Sequence, residues 1–574
     1  MCNTCGCSSS AEQMSKVEQV KAASNALRGS IAGELAEPTR LFSEDTVQIL
    51  KFHGVYQQDD RDRRKEARAL GLDKHHMMMI RTRIPGGIVS PSSYLAHDSI
   101  AGELGSGTLR VTTRQDFQLH GVLKSNLKEA IRRINDGLLT TLGGCGDQER
   151  NIMCCPAPLQ DRLRDEVRDV LPQLVAGLTP TTRAYLEIWL DGELAASSEP
   201  DPPDTLYGDR YLPRKFKTAL AIEGDNCVDV YANDLGLVAR RNSDGGLAGF
   251  DVLVGGGLGR TANKPNTWPA VALQLGYTPP EDVVDVARAV VSVQRDHGNR
   301  SDRRHARLKY LLAERGIDWF RSEVETVLGH ELAPARTLRW PSAADHLGWH
   351  EQEEGHCFYG LYVENGRIGD DDSQQLRTAL RSLVEQLAPQ ILLTPQQNVI
   401  LAGLRARDRD VLFEAFERHG VTPSEEVPRT IRHAMACPAW PTCGLAVAEA
   451  ERAMPALVRE LAVLQDSAGL AEQPISVRMT GCPNGCARPY LGDVGFVGTT
   501  LGKYDVLLGG DFEGTRLNEL YAHNVPLTEI PELLQGPLEE YARTREPGQG
   551  FGDWCARRGV AYLSEQYVVK EGIA

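Results

Sequence analysis

The chain has 574 residues, and its 78 acidic side chains outnumber its 63 lysines and arginines, which gives a formal net charge of -15. This length exceeds what one hydrophobic core supports, so we expect two to four domains, and the acidic balance argues against nucleic acid as a partner. No apolar run is long enough to span a membrane and no signal peptide opens the chain, so we predict a cytoplasmic protein. In that compartment its 13 cysteines are expected to be free, metal-bound or catalytic.

Five blocks of sequence recur in the same order along the chain, which predicts an internal duplication. At one common offset, MMIRTRIPG (78–86), LRVTTRQDFQLHGV (109–122) and RNIMCCP (150–156) align on GLYVENGRI (360–368), ILLTPQQNVILAGL (391–404) and RHAMACP (432–438). At smaller offsets, DLGLVA (234–239) and FDVLVGGG (250–257) align on DVGFVG (493–498) and YDVLLGGD (504–511). We therefore expect two copies of one α/β unit, packed about a pseudo-two-fold axis.

The first copy carries cationic and polar side chains at alternating strand positions where the second copy does not. Residues two apart on a strand share a face, so Arg110, Thr112 and Arg114 define one surface. In the second copy Arg110, Arg114, Gln118 and His120 become Leu392, Gln396, Ile400 and Ala402, and Arg81 and Arg83 become Val363 and Asn365. One interpretation is a solvated charged face. The apolar flanking residues favour a half-buried surface that binds an anion with many oxygens.

Further basic residues follow in the first copy. Arg150 precedes NIMCCP, and YLPRKFKTAL (211–220) contains Arg214, Lys215 and Lys217, of which the two lysines share a face. GLGRTA (257–262) fits a dinucleotide-binding pattern, but the prolines that follow disfavour a helix there. We therefore expect a glycine-rich turn that contacts another anionic ligand.

Two cysteine pairs lie in the second copy. Cys437 and Cys443 in ACPAWPTCGLA have five residues between them, and Cys482 and Cys486 in TGCPNGCARP have three. Four thiolates can hold a structural zinc ion or an iron–sulfur cluster, and four unrelated buried cysteines are the remaining alternative. Zinc ribbons favour two-residue gaps, so gaps of five and three favour the larger cluster.

Two other groups of cysteines carry weaker signals. Cys154 and Cys155 align with Ala436 and Cys437, so they are interpreted as the remnant of a duplicated ligand motif. Cys2, Cys5 and Cys7 at the N-terminus could bind metal, but a disordered tail is the favoured interpretation.

Eight blocks of the sequence together resemble the sirohaem-containing sulfite and nitrite reductases. They are MIRTRIPGG, LRVTTRQDFQLHG, TRAYLEIWLDGE, YLPRKFKTA, FDVLVGGGL, QRDHGNRSDRRHARLKY, MACPAWPTCGLAVAEAER and TGCPNGCARPYLGDVGFVG. The similarity runs from about Phe42 to the C-terminus. It implies an α/β (α+β) fold with two pseudo-symmetric halves that contain ferredoxin-like sheets, together with a sirohaem and a [4Fe–4S] cluster.

The resemblance also implies a role for individual residues. The cluster ligands would be Cys437, Cys443, Cys482 and Cys486, with Cys486 also bound to the sirohaem iron. The macrocycle would be held by Arg110, Thr112, Arg114, Gln118, His120 and Arg214. The catalytic residues around the substrate would be Arg83, Arg150, Lys215 and Lys217. Guanidinium groups suit an oxyanion, and lysines can supply the protons that its reduction consumes. Glu149 stands where the family often has asparagine, so one contact to substrate or macrocycle is expected to be absent or replaced by water.

The implied activity is the six-electron reduction of sulfite to sulfide in sulfate assimilation. The stretch from Glu44 to Arg64, which contains HGVYQQDDRDRR, resembles the NADPH-linked subgroup, so we expect electrons to come from NADPH through a separate flavoprotein. A ferredoxin-dependent sulfite reductase and a sirohaem nitrite reductase are the alternatives, and the paired lysines favour sulfite. Two hypotheses from other functional classes also remain: a zinc-stabilised binding protein and a simple iron–sulfur electron carrier.

The same resemblance predicts five segments. They are an N-terminal arm that is partly disordered and contacts the donor (1–65), a first ferredoxin-like half-domain (66–145), a first sirohaem- and substrate-binding domain (146–340), a second ferredoxin-like half-domain (346–428), and a domain that binds the cluster and sirohaem (429–574).

Overall fold

The computed structural model describes residues 14–180, 187–190, 193–197, 204–340, 345–352 and 355–568. The N-terminal cysteines Cys2, Cys5 and Cys7 and part of the TRAYLEIWLDGE block lie outside the described residues. Within the described ranges, no helix combines the length and the apolar content that a membrane span requires.

Helices occur along the whole described chain. Their bounds are α1 Lys16–Ala22, α2 Ile31–Ala36, α3 Glu44–Leu50, α4 Arg64–Ala69, α5 Pro91–Leu104, α6 Leu127–Asp136, α7 Arg162–Leu178, α8 Val283–His297, α9 Leu308–Arg315, α10 Ile317–Leu328, α11 Leu376–Leu387, α12 Asp408–Arg418, α13 Arg429–Arg432, α14 Met454–Ser467, α15 Ile530–Thr544, α16 Phe551–Arg558 and α17 Val560–Tyr567. Local sequence explains several helix starts: Ser90 precedes Pro91 at the start of α5, and its hydroxyl accepts from the Ser93 amide at 3.1 Å.

Strands alternate with these helices. Their bounds are β1 Val55–Asp59, β2 His76–Arg81, β3 Ile88–Val89, β4 Leu109–Val111, β5 Phe117–Val122, β6 Met153–Cys154, β7 Glu187–Leu190, β8 Glu193–Ser197, β9 Thr218–Ile222, β10 Leu235–Arg241, β11 Leu247–Val254, β12 Leu273–Thr278, β13 Gly348–Glu351, β14 His356–Leu361, β15 Arg367–Ile368, β16 Gln390–Leu393, β17 Val399–Arg405, β18 Ala434–Ala436, β19 Val477–Thr480, β20 Val494–Thr500, β21 Lys503–Leu508 and β22 Glu519–Pro526.

Four five-stranded sheets form two matching pairs, which confirms the duplication. Two of the sheets have fewer residues in their strands and are called the half-sheets; their strand orders are β1-β2-β5-β4-β15 and β13-β14-β17-β16-β3. The other two are called the larger sheets; their strand orders are β12-β11-β10-β9-β6 and β22-β21-β20-β19-β18. In each larger sheet the three strands at one end are parallel. Strand β9 is buried along its whole length, which explains its mainly apolar sequence TALAI. Strand β19 is equally buried but carries Arg478, whose charge is balanced by Asp229 at 2.7 Å.

The last strand of each half-sheet belongs to the other copy. β15 pairs with β4 of the first copy through Arg367 and Arg110, and β3 pairs with β16 of the second copy through Ile88 and Leu392. One continuous apolar core therefore lies between the two half-sheets and α5, α6, α11 and α12. This exchange makes the two copies inseparable.

One block of the predicted alignment is wrong by three residues. The structure pairs Ile80 with Leu119 on one side and Tyr359 with Leu401 on the other. Arg81 therefore corresponds to Gly360 rather than Val363, and Arg83 corresponds to Tyr362 rather than Asn365. The cause is a connection that is three residues longer in the second copy, since 40 residues separate Gly360 from its partner Ile400 but only 37 separate Arg81 from its partner Gln118. The inference that the charges of the first copy are lost still holds.

The region before residue 65 contributes to this architecture. Its strand β1 forms the edge of the first half-sheet. Arg61 stacks on Trp440, with 3.6 Å between the guanidinium carbon and the ring centre, and also donates to the Cys443 carbonyl at 3.2 Å. The N-terminal segment thus packs against the loop between the first two predicted cluster ligands.

Candidate active site

Two loops at the carboxyl ends of parallel strands bring the four predicted cluster cysteines together. Cys437 follows β18, and Cys482 and Cys486 follow β19, so all three leave the sheet at the same edge. The charges of Cys486, Cys482 and Cys443 all act on Cys437. Burial, and then the neighbouring Cys486, raises the pKa of the Cys437 thiol well above its ordinary value, so four thiolates here need a cation to balance them.

Backbone amides point at these sulfurs. The Gly481 N–H bonds to Cys437, the Leu445 and Ala446 N–H groups bond to Cys443, and the Asn484 N–H bonds to Cys482. In the part of the chain that the structure describes, no three of the four sulfurs lie within 4.8 Å of one another. One zinc ion requires closer ligands, whereas widely spaced thiolates that accept amide hydrogen bonds fit a [4Fe–4S] cluster.

The shape of the second cysteine loop depends on a glycine. Gly485 has a φ of +65°, and a Cβ there would lie 3.0 Å from the Tyr490 ring. A left-handed residue without a side chain is needed immediately before Cys486 to turn its sulfur away from the loop. Cys486 is correspondingly exposed, whereas Cys437 and Cys482 are buried.

A polar cavity lies beside Cys486, between the two copies. Lys215 and Lys217 line it from the segment before β9, and Arg114 lines it from the loop before β5. The glycine-rich turn after β11 contributes Gly259, and no helix starts in that turn, as expected from its prolines. Three of the predicted basic residues and the last predicted cluster ligand therefore face one space.

Positive charge in this cavity exceeds negative charge. Arg307 and Arg488, which also line it, are neutralised by Asp234 at 2.7 Å and Asp229 at 2.6 Å. Arg114 instead donates to three neutral oxygens: those of the Asn233 side chain and of the Asn151 and Thr218 backbones.

The two lysines also lack a compensating negative charge, which opposes their protonation until an anion binds. Neither ammonium has a hydrogen-bond partner within the described chain. Burial, followed by nearby arginines, lowers the pKa of Lys215 to about 7, and burial lowers the pKa of Lys217 well below its ordinary value. Such a charge excess in a cavity favours a bound polyanion.

A second group of basic residues surrounds Cys145. The Cys145 sulfur accepts from Arg81 at 2.8 Å and from Arg150 at 3.2 Å. The charge of Arg150 also acts on Lys215, which links this group to the cavity. Arg83 is not among the residues that line the cavity. It donates to Thr179 at 2.9 Å, and its Nε and Nη2 atoms are buried without a partner within the described residues.

The remaining predicted macrocycle ligands occupy the wall formed by the first half-sheet. Thr112 accepts from the amides of Arg114 and Asp116 and so shapes the loop that carries Arg114. Gln118 accepts from Arg81 Nε at 2.9 Å when its amide oxygen faces the guanidinium. His120 lies 3.3 Å from Gln118, and burial together with Arg367 and Arg110 lowers its pKa well below the ordinary value, so it is neutral.

Arg110 and Arg214 differ in how they are held. Arg110 is buried, forms an ion pair with Glu451 and donates to the Ala436 carbonyl at 2.7 Å, so it joins the two copies next to Cys437. Arg214 has no hydrogen-bond partner within the described chain, and its charge acts on Asp147. Asp147 pairs with Arg303 at 2.7 Å and with Lys21 at 3.6 Å.

Glu149 is directed away from the cavity. Its carboxylate accepts from the amide and hydroxyl of Thr218 at 3.1 and 2.9 Å. Burial raises the pKa of Glu149 to about 8. The carboxyl is thus protonated near neutral pH, and it anchors β9 directly after Lys217.

Sequence reasoning did not assign four basic residues that the structure places at these sites. Arg81 was paired with Arg83 in the sequence pattern but was left without a role, and Arg488 is the arginine of TGCPNGCARP. Arg307 and Lys309 lie in the QRDHGNRSDRRHARLKY block, whose density of arginines was the available signal. Lys309 donates to the carbonyls of Gly257 and Gly259 at 2.8 Å and so holds the glycine-rich turn.

Two protein-family models match the chain. The family described as nitrite/sulfite reductase ferredoxin-like half domain matches residues 71–137 and 350–419, and the nitrite and sulphite reductase 4Fe-4S domain matches residues 175–332. The latter range lies in the first copy and contains none of the four cysteines. Because both larger sheets share one topology, a model of this unit describes the architecture of either copy.

Several curated proteins are similar over nearly the whole chain. A sulfite reductase [NADPH] hemoprotein beta-component of Staphylococcus saprophyticus is 43% identical, with 96% of each chain covered. The protein of the same name from Chromohalobacter salexigens is 45% identical over 95% of each chain. A sulfite reductase [ferredoxin] of Synechococcus elongatus is 44% identical over 97% of this chain and 92% of its own.

A solved structure shares the architecture. The structure of the Mycobacterium tuberculosis NirA protein covers 96% of this chain and 98% of its own, with a TM-score of 0.77 and 25% sequence identity. The duplicated fold and the cysteine-flanked cationic cavity define a two-copy redox protein of the α/β class, and the predicted fold class is confirmed. The chain belongs to the nitrite and sulphite reductase family.

Proposed function

We propose that this chain is the hemoprotein (beta) component of an assimilatory sulfite reductase. The observation that carries the proposal is the cavity in which Cys486 faces Lys215, Lys217 and Arg114. An iron–sulfur electron carrier without haem would not need an uncompensated cationic cavity beside its last cluster ligand. A zinc-stabilised binding protein would not need thiolates that are widely spaced.

The donor set fits the two cofactors that the family resemblance implies. Cys437, Cys443, Cys482 and Cys486 would hold a [4Fe–4S] cluster, and Cys486 would also bind the sirohaem iron. Arg114 and Arg214 would bind sirohaem carboxylates, supported by Thr112, Gln118 and His120. Arg110 stays in the proposal because its charge lies beside Cys437 and Cys486, although its hydrogen bonds go elsewhere. When bound, the two cofactors supply the electrons and the metal that binds the substrate's sulfur atom.

The protein's own residues would then bind the anion and handle protons. Six electrons and six protons convert hydrogen sulfite into hydrosulfide and three water molecules. Lys215 and Lys217 would hold protons at Nζ and deliver them to the substrate oxygens that leave as water. Arg150 and Arg83 would attract and orient the oxyanion.

Electrons would arrive from another protein, and we propose an NADPH-dependent flavoprotein. The names of the Staphylococcus and Chromohalobacter relatives support this donor. The Synechococcus relative supports the alternative, a reduced ferredoxin.

One experiment tests activity and donor together. Purified holoprotein is supplied with sulfite or nitrite and with either an NADPH flavoprotein or reduced ferredoxin, and sulfide or ammonia is measured. We expect sulfide formation with the flavoprotein to exceed ammonia formation. Preference for ferredoxin would overturn only the donor assignment, whereas faster reduction of nitrite, or no reduction of either anion with any donor, would overturn the proposed function.

A further inference from the structure

A second set of metal-ligating side chains lies in the first copy, at the position that corresponds to the cluster site of the second. β6 and β9 pair in the same register as β18 and β19, which places Cys155 where the second copy has Cys437. Asp229 and Arg488 both have a positive φ and both precede a single 3-10 turn, so Cys227 corresponds to Cys486. Two of the four cluster thiols therefore have cysteine equivalents.

Two further ligand types complete this set. Cys155, Asp225, Cys227 and His346 are all buried, and their ligand atoms all lie within 4.8 Å of one another. Cys155 Sγ is 3.3 Å from Asp225 Oδ2 and 3.6 Å from His346 Nε2, and the latter two atoms are 3.4 Å apart. Within the described ranges, no other group of three or more His, Cys, Asp and Glu side chains is as compact.

These separations match a shared tetrahedral ion. Zinc bonds of about 2.3 Å to sulfur and about 2.0–2.2 Å to nitrogen and oxygen put tetrahedral ligand atoms roughly 3.3–3.8 Å apart. A direct histidine–carboxylate hydrogen bond would instead bring nitrogen and oxygen to about 2.7–2.9 Å. The observed 3.4 Å between His346 and Asp225 is therefore long for a hydrogen bond and correct for two ligands of one ion.

Neighbouring groups orient these side chains and balance their charge. Arg164 donates to Cys155 Sγ at 2.7 Å and to Asp225 Oδ2 at 2.8 Å. The Cys227 amide donates to Asp225 Oδ1 at 3.0 Å and fixes the carboxylate so that Oδ2 faces Cys155 and His346. Oδ2 accepts one hydrogen bond, from Arg164, and keeps a second lone pair for an ion. Two thiolates, one carboxylate and a divalent ion leave a single negative charge, which Arg164 neutralises.

We propose that Cys155, Asp225, Cys227 and His346 bind one structural zinc ion. Four protein ligands close the coordination sphere, which is the arrangement of a structural rather than a catalytic site. Cys155 and Cys227 belong to the first copy, and His346 lies just before β13 of the second. The ion would thus stabilise the connection between the two copies, at the position that corresponds to the cluster site by pseudo-symmetry. Because the ligand atoms lie close together here, they would bind a single ion rather than a cluster.

The test measures metals in the full-length holoprotein. Zinc and iron per chain are determined by mass spectrometry for wild type, Cys155→Ser and His346→Ala, with Cys357→Ser as a control that removes another buried cysteine. Zinc K-edge absorption of the wild type gives the number of sulfur neighbours. We expect about one zinc per chain with two sulfur and two nitrogen or oxygen neighbours. Zinc should fall at least about tenfold in both ligand variants, with iron unchanged, and should stay at one in the control.

Several results would overturn the proposal. They are wild-type protein without zinc, zinc that persists in both ligand variants, and zinc surrounded by four sulfurs, which would place it at the cluster cysteines. A Cys155–Cys227 disulfide found by alkylation under non-reducing conditions would also overturn it. The wild-type absorption spectrum decides the matter even when a ligand variant does not fold. Sulfite reduction plays no part in these readouts, so the zinc site and the proposed function fail independently.

Discussion

Replacing the two cavity lysines by methionine tests whether this cavity supplies protons. Lys215→Met and Lys217→Met keep most of the side-chain volume and remove an ammonium that has no hydrogen-bond partner within the described chain. A positioned proton donor contributes about 10²–10⁴-fold, or roughly 3–5 kcal/mol of barrier. Because both ammoniums face the same cavity, one can partly replace the other. We therefore expect a loss of about 10-fold in kcat for each single variant and about 10⁴-fold for the double variant, which is more than the product of the single losses.

The assay is sulfide production with a reduced dye as electron donor, so that partner docking does not affect the rate. Haem and iron are quantified on the same preparations, and the exposed Lys503→Met serves as the control. Cofactor content should stay at the wild-type level in every variant. A loss of haem in proportion to the loss of activity would show that the lysines only neutralise the macrocycle, and the proton-donor role would be refuted.

Three further predictions follow from the site. Cys486→Ser should abolish the visible spectrum of the coupled cofactors, whereas Cys555→Ser, which removes a thiol buried in the core of the second copy, should leave it intact; equal spectra would show that Cys486 is no ligand. Arg110→Met should lower the free energy of unfolding by about 1–3 kcal/mol in urea titrations, because it leaves the Ala436 carbonyl without its donor and Glu451 with Arg367 as its remaining ion-pair partner; a loss of haem without a loss of stability would instead assign Arg110 to the macrocycle. Asp147→Asn should lower the free energy of unfolding by a similar amount at neutral pH. Cationic neighbours lower the pKa of Asp147 from an ordinary 3.8 to about 2, so its stabilising effect is present above the ordinary pKa, and the difference between variant and wild type should shrink as pH falls from about 4 to about 2. A difference in unfolding free energy that does not depend on pH would contradict this reasoning.

The duplication could be predicted from the sequence because recurring blocks show it directly. The set of four cluster cysteines stays a prediction, which rests on the spacing of the two pairs. The alternation of basic residues singled out Arg114, Lys215 and Lys217, which share one cavity with Cys486. The expectation that they lie on strands was wrong, because β4 ends at Val111 and β9 begins at Thr218, so all three lie in loops. The three-residue error around Arg81 arose because an ungapped alignment of a nine-residue block cannot detect that the connection to the next block is three residues longer in the second copy. Pairing with Leu119 and Leu401 fixes the register only in three dimensions.

Contacts between residues that are far apart in the sequence could not be predicted from local sequence patterns. The ion pair between Arg110 and Glu451 joins residues far apart in the sequence, and so does the approach of His346 to Cys155. The same holds for the exchange of β3 and β15 between half-sheets. Cys155 was interpreted as a remnant because its alignment with Cys437 shows its origin, whereas its present neighbours come from other segments.

The central claim is that one thiolate, Cys486, couples an iron–sulfur cluster to the iron that faces the cationic cavity. A Mössbauer spectrum of the holoprotein enriched in iron-57 tests this claim most directly. If the two centres share that sulfur, the unpaired electrons of the haem iron must act on the cluster irons, and the account predicts magnetic splitting at all the iron sites of the oxidised protein. A cluster signal without magnetic splitting, typical of an isolated and diamagnetic cluster, would contradict it.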